Sequence, residues 1–138
     1  MKSIFSISAT STGGRNGHVT SSDNLINADV RLPKSLGGSD GANLTPETFF
    51  AAGYAACFDN AVMRVLRMER ITGAMPEVTA KVDLLQLDSG YFGLAVELLV
   101  SIPGIELNTA LDIVSKAHQV CPYSNATRGN IDVKLTVI

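Results

Sequence analysis

Residues 45–72, TPETFFAAGYAACFDNAVMRVLRMERIT, constrain the fold more than any other stretch of the chain. They read as one long helix. Thr45 caps the first turn through its hydroxyl, Pro46 suits the first helical position because its missing N–H would have no partner there, and Glu47 complements the positive end of the helix dipole. Gly73 is placed to take a left-handed C-terminal conformation, and Pro76 prevents continuation. The span is about 40 Å at a rise of ~1.5 Å per residue, which is long for a small domain. Its first half, Phe49 to Ala56, is apolar almost all round and is expected to be buried. The second half alternates Val62, Val65, Leu66 and Met68 with Arg64, Arg67, Glu69 and Arg70, and is expected to be half buried. Phe50, Gly53, Cys57, Asn60, Ala61 and Arg64 share one stripe, so the cysteine lies among small side chains that leave room beside its sulfur.

The other segments supply strands and a second helix. Ser3 to Thr10 is β-branched and small and reads as a strand, and His18 to Ser21 as another. Between them Gly13, Gly14 and Gly17 bracket Arg15, so that an arginine held among glycines can be aimed. In LINADVRL, Ile26, Ala28, Val30 and Leu32 face one side and Asn27, Asp29 and Arg31 the other, a half-buried strand. PKSLGGSDGAN, residues 33–43, is a connecting loop. Beyond the helix, Val78 to Leu84 and Phe92 to Ile102 alternate with a turn at Asp88-Ser89-Gly90, which predicts a hairpin. Asn108 then caps a helix carrying Ala110, Leu111, Val114, Ala117, His118 and Cys121 at helical spacing, ended by Pro122. VCPYSNATRGN follows as a loop, and Ile131 to Val137 as a final one-sided strand. This order predicts an α+β fold with a mostly antiparallel sheet, a long central helix and a second helix on one face. The long helix offers more apolar surface than one small sheet covers, which points to a homodimer.

A length of 138 residues predicts a single domain spanning 1–138. A net charge of −2 without a run of Lys or Arg gives no footprint for nucleic acid or an anionic membrane. MKSIFSISAT lacks the apolar core of a signal peptide, and no apolar run approaches the ~20 residues of a membrane span, so a soluble, cytoplasmic protein is expected. Two cysteines form neither a paired zinc pattern nor a disulfide framework, and in a reducing compartment a bridge between them would be transient or redox-active.

Free cysteine is among the most buried residue types, so a packing role for Cys57 competes with a reactive one. A reactive thiolate needs a cation, and the helix N-terminus, ~18 Å away along the axis, does not serve. Arg64 is two turns distant, which leaves Arg15 and Arg128 as candidates. Glu47 either complements the dipole or grips an arginine in one orientation. Cys121 is either a packed helix-end residue or a resolving thiol that condenses with a sulfenic acid on Cys57. A Cys–His pair, or a zinc site from His118, Cys121, Cys57 and His18, matches no known ligand spacing, so no metal is expected.

Three segments, TGGRNG at 12–17, PETFFAAGYAACF at 46–58 and VCPYSNATRGNIDV at 120–133, make the chain similar to the organic hydroperoxide resistance proteins, a branch of the superfamily named for osmotically inducible protein C. The resemblance spans nearly the whole chain. It implies that Cys57 is the peroxidatic cysteine, Cys121 the resolving cysteine, Arg15 the arginine that stabilises the thiolate and Glu47 the carboxylate that orients it. It also implies an intertwined homodimer, no bound cofactor, and reduction of the disulfide by the lipoyl dithiol of a partner protein. Thr45 stands where the family commonly has Asn, an equivalent cap. Asp59 and Asn60 are more polar than the family pattern, and the spacing of Asp59 turns it away from the sulfur. The expected reaction is attack of the Cys57 thiolate on the peroxide, with Phe50, Ala56 and Phe58 lining an apolar substrate body. A sister-branch osmotic-stress peroxidase and a non-catalytic redox-sensing or binding module are the alternatives.

Overall fold

The computed structural model describes residues 1–138, and the chain forms two compact units, Met1–Phe49 and Phe50–Ile138. In the first, β1 (Ala9–Thr12), β2 (His18–Ser21) and β3 (Asn27–Asp29) form an antiparallel sheet in that order. Thr12 pairs with His18, so the glycine segment is a tight β1–β2 connection containing a 3-10 turn at Gly14–Asn16. Only glycine fits at position 17, where a Cβ would run into the Thr12 carbonyl oxygen. The first strand begins later than the sequence predicts, at Ala9 rather than Ser3. Residues before Ser8 have no partner strand, and Ile4, Phe5 and Ile7 remain exposed, so β-propensity alone does not order them.

Helix α1 (Pro46–Met68) starts as predicted. The Thr48 N–H donates to the Thr45 hydroxyl at 3.2 Å, and Pro46 opens the first turn. It ends four residues before the predicted Thr72. Arg70, with φ 59°, takes the left-handed position expected of Gly73. The Arg70 N–H donates to the Arg67 carbonyl and the Ile71 N–H to the Leu66 carbonyl, the paired closure of a Schellman motif. Ile71 packs against the core, which offsets the steric cost of a left-handed arginine. The burial expected along α1 holds in its second half, where Arg64 and Arg67, with Glu69 and Arg70 just beyond its end, are exposed opposite a buried face, but not in its first. Ala61, Val62, Val65 and Leu66 of the second half are buried, whereas Ala52 and Ala56 of the first half are exposed. The sheet of the second unit covers only the stripe containing Tyr54, Phe58, Ala61, Val62, Val65 and Leu66.

In the second unit β4 (Glu77–Gln86) and β5 (Phe92–Ser101) form the predicted antiparallel hairpin, and β6 (Asp132–Val137) pairs with β5 in parallel. A parallel neighbour requires a crossover, supplied by α2 (Leu107–Val120) and α3 (Pro122–Thr127). The fold is therefore α+β and mostly antiparallel as expected, but its strands divide into two three-stranded sheets. Val96, Leu98 and Val100 of β5 pack with the α1 stripe and with Ala110, Ile113, Val114 and Ala117 of α2. Each fully buried Leu, Ile or Phe of this layer contributes about 1.5–3 kcal/mol. Two local expectations fail here. Glu106, not Asn108, caps α2, because its longer carboxylate reaches the N–H groups of both Asn108 and Thr109. The segment expected as a loop after Cys121 is α3, with Pro122 at its first position. No helix is long and apolar enough to cross a membrane.

Candidate active site

Cys57 sits mid-way along α1, partly buried, and Cys121 occupies the α2–α3 junction with no exposed surface. Both thiols are free and their sulfurs lie 3.6 Å apart. The junction is extended at Cys121, φ −69° and ψ 123°, as the following proline requires. Its side chain is thereby turned out of the α2 helical path at the point where α3 begins. Burial pushes the Cys57 thiol above its ordinary pKa, the backbone N–H of Tyr123 opposes this, and the adjacent Cys121 adds to the rise. Asp59 is not among the groups acting on Cys57. One of its carboxylate oxygens is buried without a hydrogen-bond partner, and burial raises its pKa.

In the first unit Arg15 and Glu47 form a two-pronged pair: Nη1 donates to Oε2 at 2.8 Å and Nη2 to Oε1 at 2.6 Å. This fork-on-fork geometry fixes the guanidinium plane, which a lysine could not do. The Arg15 hydrogen bond holds the Glu47 carboxyl below its ordinary value, and Glu47 in turn raises Arg15. The loop is tied down around it. Arg31 Nη1 donates to the Gly17 carbonyl at 2.8 Å, and Asn16 Oδ1 accepts from the Leu32 N–H at 3.2 Å. Beside Arg15 an open cavity of about 450 Å³ is walled by Val19, Ile26, Val30, Pro46 and Phe49. A cavity of this size fits a small amphipathic molecule with one charged or polar end.

Of the residues expected to line a substrate, Phe50 is half buried and Ala56 exposed, whereas Phe58 lies wholly in the core, its ring 6.5 Å from that of Tyr54. Arg128, the other candidate cation, donates to the His118 carbonyl and to Asn125. Arg64 is exposed. His18 is bonded to Asp29 and Asn27 on the β2–β3 surface, and His118 Nδ1 lies 2.9 Å from the Ser124 hydroxyl. Sequence reasoning missed the cavity wall, although the apolar face of LINADVRL, which supplies Ile26 and Val30, was the available signal. It also missed a buried set of hydroxyls. Tyr54 Oη lies 3.0 Å from Ser124 Oγ and 3.1 Å from Thr127 Oγ1, all three residues being buried. The i, i+3 spacing of Ser124 and Thr127 behind a proline was the only hint of their shared face.

The helix-borne thiol and the second thiol in contact with it stand on an α+β frame that known proteins share. The model of the family described as OsmC-like protein matches residues 38–136. The chain is 45% identical over 139 residues to the organic hydroperoxide resistance protein of Xanthomonas axonopodis pv. citri (strain 306), covering 99% of this chain and 96% of that one. It is 46% identical over 137 residues to the organic hydroperoxide resistance protein OhrA of Bacillus subtilis (strain 168), with coverages of 97% and 96%. The crystal structure of an organic hydroperoxide resistance protein from Elizabethkingia anophelis superposes with a TM-score of 0.93 at 54% identity, over 99% of this chain and 98% of that one. The chain belongs to the OsmC-like family and, within it, to the organic hydroperoxide resistance proteins.

Proposed function

We propose that the protein reduces organic hydroperoxides to alcohols through its two thiols. The observation that carries this reading is the 3.6 Å contact of two free sulfurs. The Cys57 thiolate attacks one peroxide oxygen, the O–O bond breaks, and the alkoxide leaves and takes up a proton as alcohol, leaving a sulfenic acid. The Cys121 thiol then attacks that sulfur and expels water, and a disulfide remains. The sulfurs need approach only from 3.6 Å to the ~2 Å of a bond. Two electrons from a lipoyl dithiol on a partner protein return the disulfide to thiols. Arg15, oriented by Glu47, is the charge we assign to the Cys57 thiolate and to the oxygens that become negative as the O–O bond breaks.

The apolar cavity beside Arg15 favours an alkyl or fatty-acyl body over hydrogen peroxide, since each buried CH₂ contributes ~0.8 kcal/mol. Of the residues expected to line the substrate, Phe50 and Ala56 keep exposed surface and retain that assignment, whereas Phe58 is a core residue. The working form is taken to be a cytoplasmic homodimer of a single 1–138 domain. Exposed Ile4, Phe5 and Ile7, with the open first half of α1, offer surface that a second copy would cover. The test is the intact mass of the reduced protein after one equivalent of an alkyl hydroperoxide. A loss of two hydrogens in the parent and a gain of one oxygen in Cys121→Ser support the reaction. Unchanged masses with free thiols would sink it. Oxidation without repeated turnover in the presence of a lipoyl dithiol would leave a redox sensor.

A further inference from the structure

Cys121 is shared by two helices. Its N–H donates to the Ala117 carbonyl at 2.9 Å, the last bond of α2, and its carbonyl accepts from the Asn125 N–H at 3.0 Å, the first bond of α3. The position of its sulfur, and with it the 3.6 Å contact with Cys57 on α1, therefore depends on the angle between α2 and α3 and on how that corner sits against α1. A helix of 6 residues is too short to hold such an angle unaided. We propose that the buried hydroxyls of Tyr54, Ser124 and Thr127, in one chain with His118, are positioning residues that lock the α2–α3 corner onto α1 and so hold the Cys121 sulfur beside the Cys57 sulfur while both thiols are reduced. This inference rests on the reading of Cys121 as the thiol that captures oxidised Cys57.

The chain reaches all three helices: Tyr54 on α1, His118 on α2, Ser124 and Thr127 on α3. Its protons run one way. Thr127 donates its hydroxyl proton to the Ser124 carbonyl at 3.2 Å, so its oxygen accepts from Tyr54 at 3.1 Å. The Tyr54 oxygen then accepts from Ser124 at 3.0 Å, and the Ser124 oxygen accepts from His118 Nδ1 at 2.9 Å. Every hydroxyl gives one bond and takes one, which requires His118 to carry its proton on Nδ1. Tyr54 stands three residues before Cys57 and Ser124 three after Cys121, so the chain is fastened within one helical turn of each sulfur. On the exposed side Arg128 ties the same corner, donating from Nη2 to the His118 carbonyl at 2.6 Å and from Nη1 to Asn125 Oδ1 at 2.8 Å.

Removing one hydroxyl leaves buried partners unpaired, and the corner relaxes to satisfy them. A merely structural role would destabilise the folded dithiol and disulfide forms alike and leave the equilibrium between them unchanged. A positioning role lowers the effective concentration of one thiol at the other, and with it the tendency to form the disulfide. The experiment equilibrates the full chain in glutathione redox buffers at pH 7, where two electrons and two protons pass from the thiols to oxidised glutathione, which becomes two reduced molecules while the S–S bond forms. Remaining thiols are trapped by alkylation and counted by intact mass. Tyr54→Phe and Thr127→Val each remove one hydroxyl and keep the shape of the side chain, and either one serves if the other does not fold. We expect each to lower the equilibrium constant roughly tenfold, a rise in reduction potential of about 30 mV, and Thr127→Ser, which keeps the hydroxyl, to restore the parent value. An unchanged constant in the folded variants, or a parent that forms no intramolecular disulfide, overturns the proposal. The equilibrium is read without peroxide, so a parent that forms the disulfide yet consumes no hydroperoxide overturns the assigned reaction and leaves the positioning role standing.

Discussion

Arg15, on the glycine loop, and Glu47, in the first turn of α1, meet through two charged hydrogen bonds, with 37% and 17% of their side chains exposed. Cys57 and Cys121 meet among neutral hydroxyls, rings and aliphatic side chains, with Cys121 wholly buried. One region is built from charge and is therefore screened by salt; the other is built from burial and is indifferent to it. The difference teaches how a thiol protein separates two needs. The guanidinium requires orientation and a field, which a forked carboxylate provides. The sulfurs require a fixed distance, which only close packing maintains.

The largest effect expected is on the packed region. Cys57→Ser abolishes hydroperoxide reduction, a fall of at least about a thousandfold in kcat/KM by a peroxide-consumption assay. Loss at Cys57 with full retention of catalysis would dissolve the comparison, because nothing would then be asked of the thiols. Next is the charged region. Glu47→Gln removes the charge and half of the fork, and lowers kcat/KM roughly tenfold, less in high salt because screening already weakens the parent pair. An effect that does not vary with salt would show that Glu47 acts by packing. Tyr54→Phe leaves two buried hydroxyls short of a partner and costs about 1–3 kcal/mol in urea unfolding, the same at low and high salt.

The two histidines sharpen the contrast through pH. Hydrogen bonding to Asp29 raises His18, so its stabilisation is present below about pH 6.5 and is lost as pH rises through its folded value. Burial lowers His118, so its stabilisation is present above about pH 6.5 and is lost as pH falls through its lower folded value. Urea midpoints measured from pH 5 to 8 are expected to lose the acid-side decline in His118→Gln and to lose the opposing decline on the alkaline side in His18→Asn. Identical profiles in all three proteins would contradict both environments. Smallest is Gly53→Ala. Alanine improves the helix by up to about 1 kcal/mol, yet it crowds Tyr123, so stability in urea unfolding changes little. A gain equal to the full helix increment would mean that the Tyr123 ring moves aside at little cost.

Local signals made the α1 start legible, because Thr45, Pro46 and Glu47 act within one turn. The α1 end was not, since Arg70 accepts a left-handed conformation only because Ile71 finds the core, a tertiary fact. Alternation placed β4 and β5 correctly, but it could not reveal that β6 joins β5 in parallel or that the strands form two sheets. The burial of the first half of α1 was misjudged for a related reason. Hydrophobicity states which surface seeks cover, not which cover arrives, and within this chain the second half of the helix receives it. Cys57, Cys121, Arg15 and Glu47 stood out through family resemblance. Periodicity alone left Arg15 and Arg128 equal, and only geometry separates a forked arginine from one bonded to the His118 carbonyl. The hydroxyl chain went unseen because Ser124 and Thr127 sit in a segment whose composition resembles a loop.

The sulfurs that nearly touch are separated by 64 residues of chain. Joining them ties most of the second unit into one ring, and on a chain-entropy argument a ring of that size disfavours the unfolded state by about 4 kcal/mol. Under the proposed reaction, a disulfide that forms and is reduced in the course of turnover makes mechanical endurance periodic. In that reaction the molecule is cinched after meeting a peroxide and slack once rearmed, and the reduced form is the one that opens more readily.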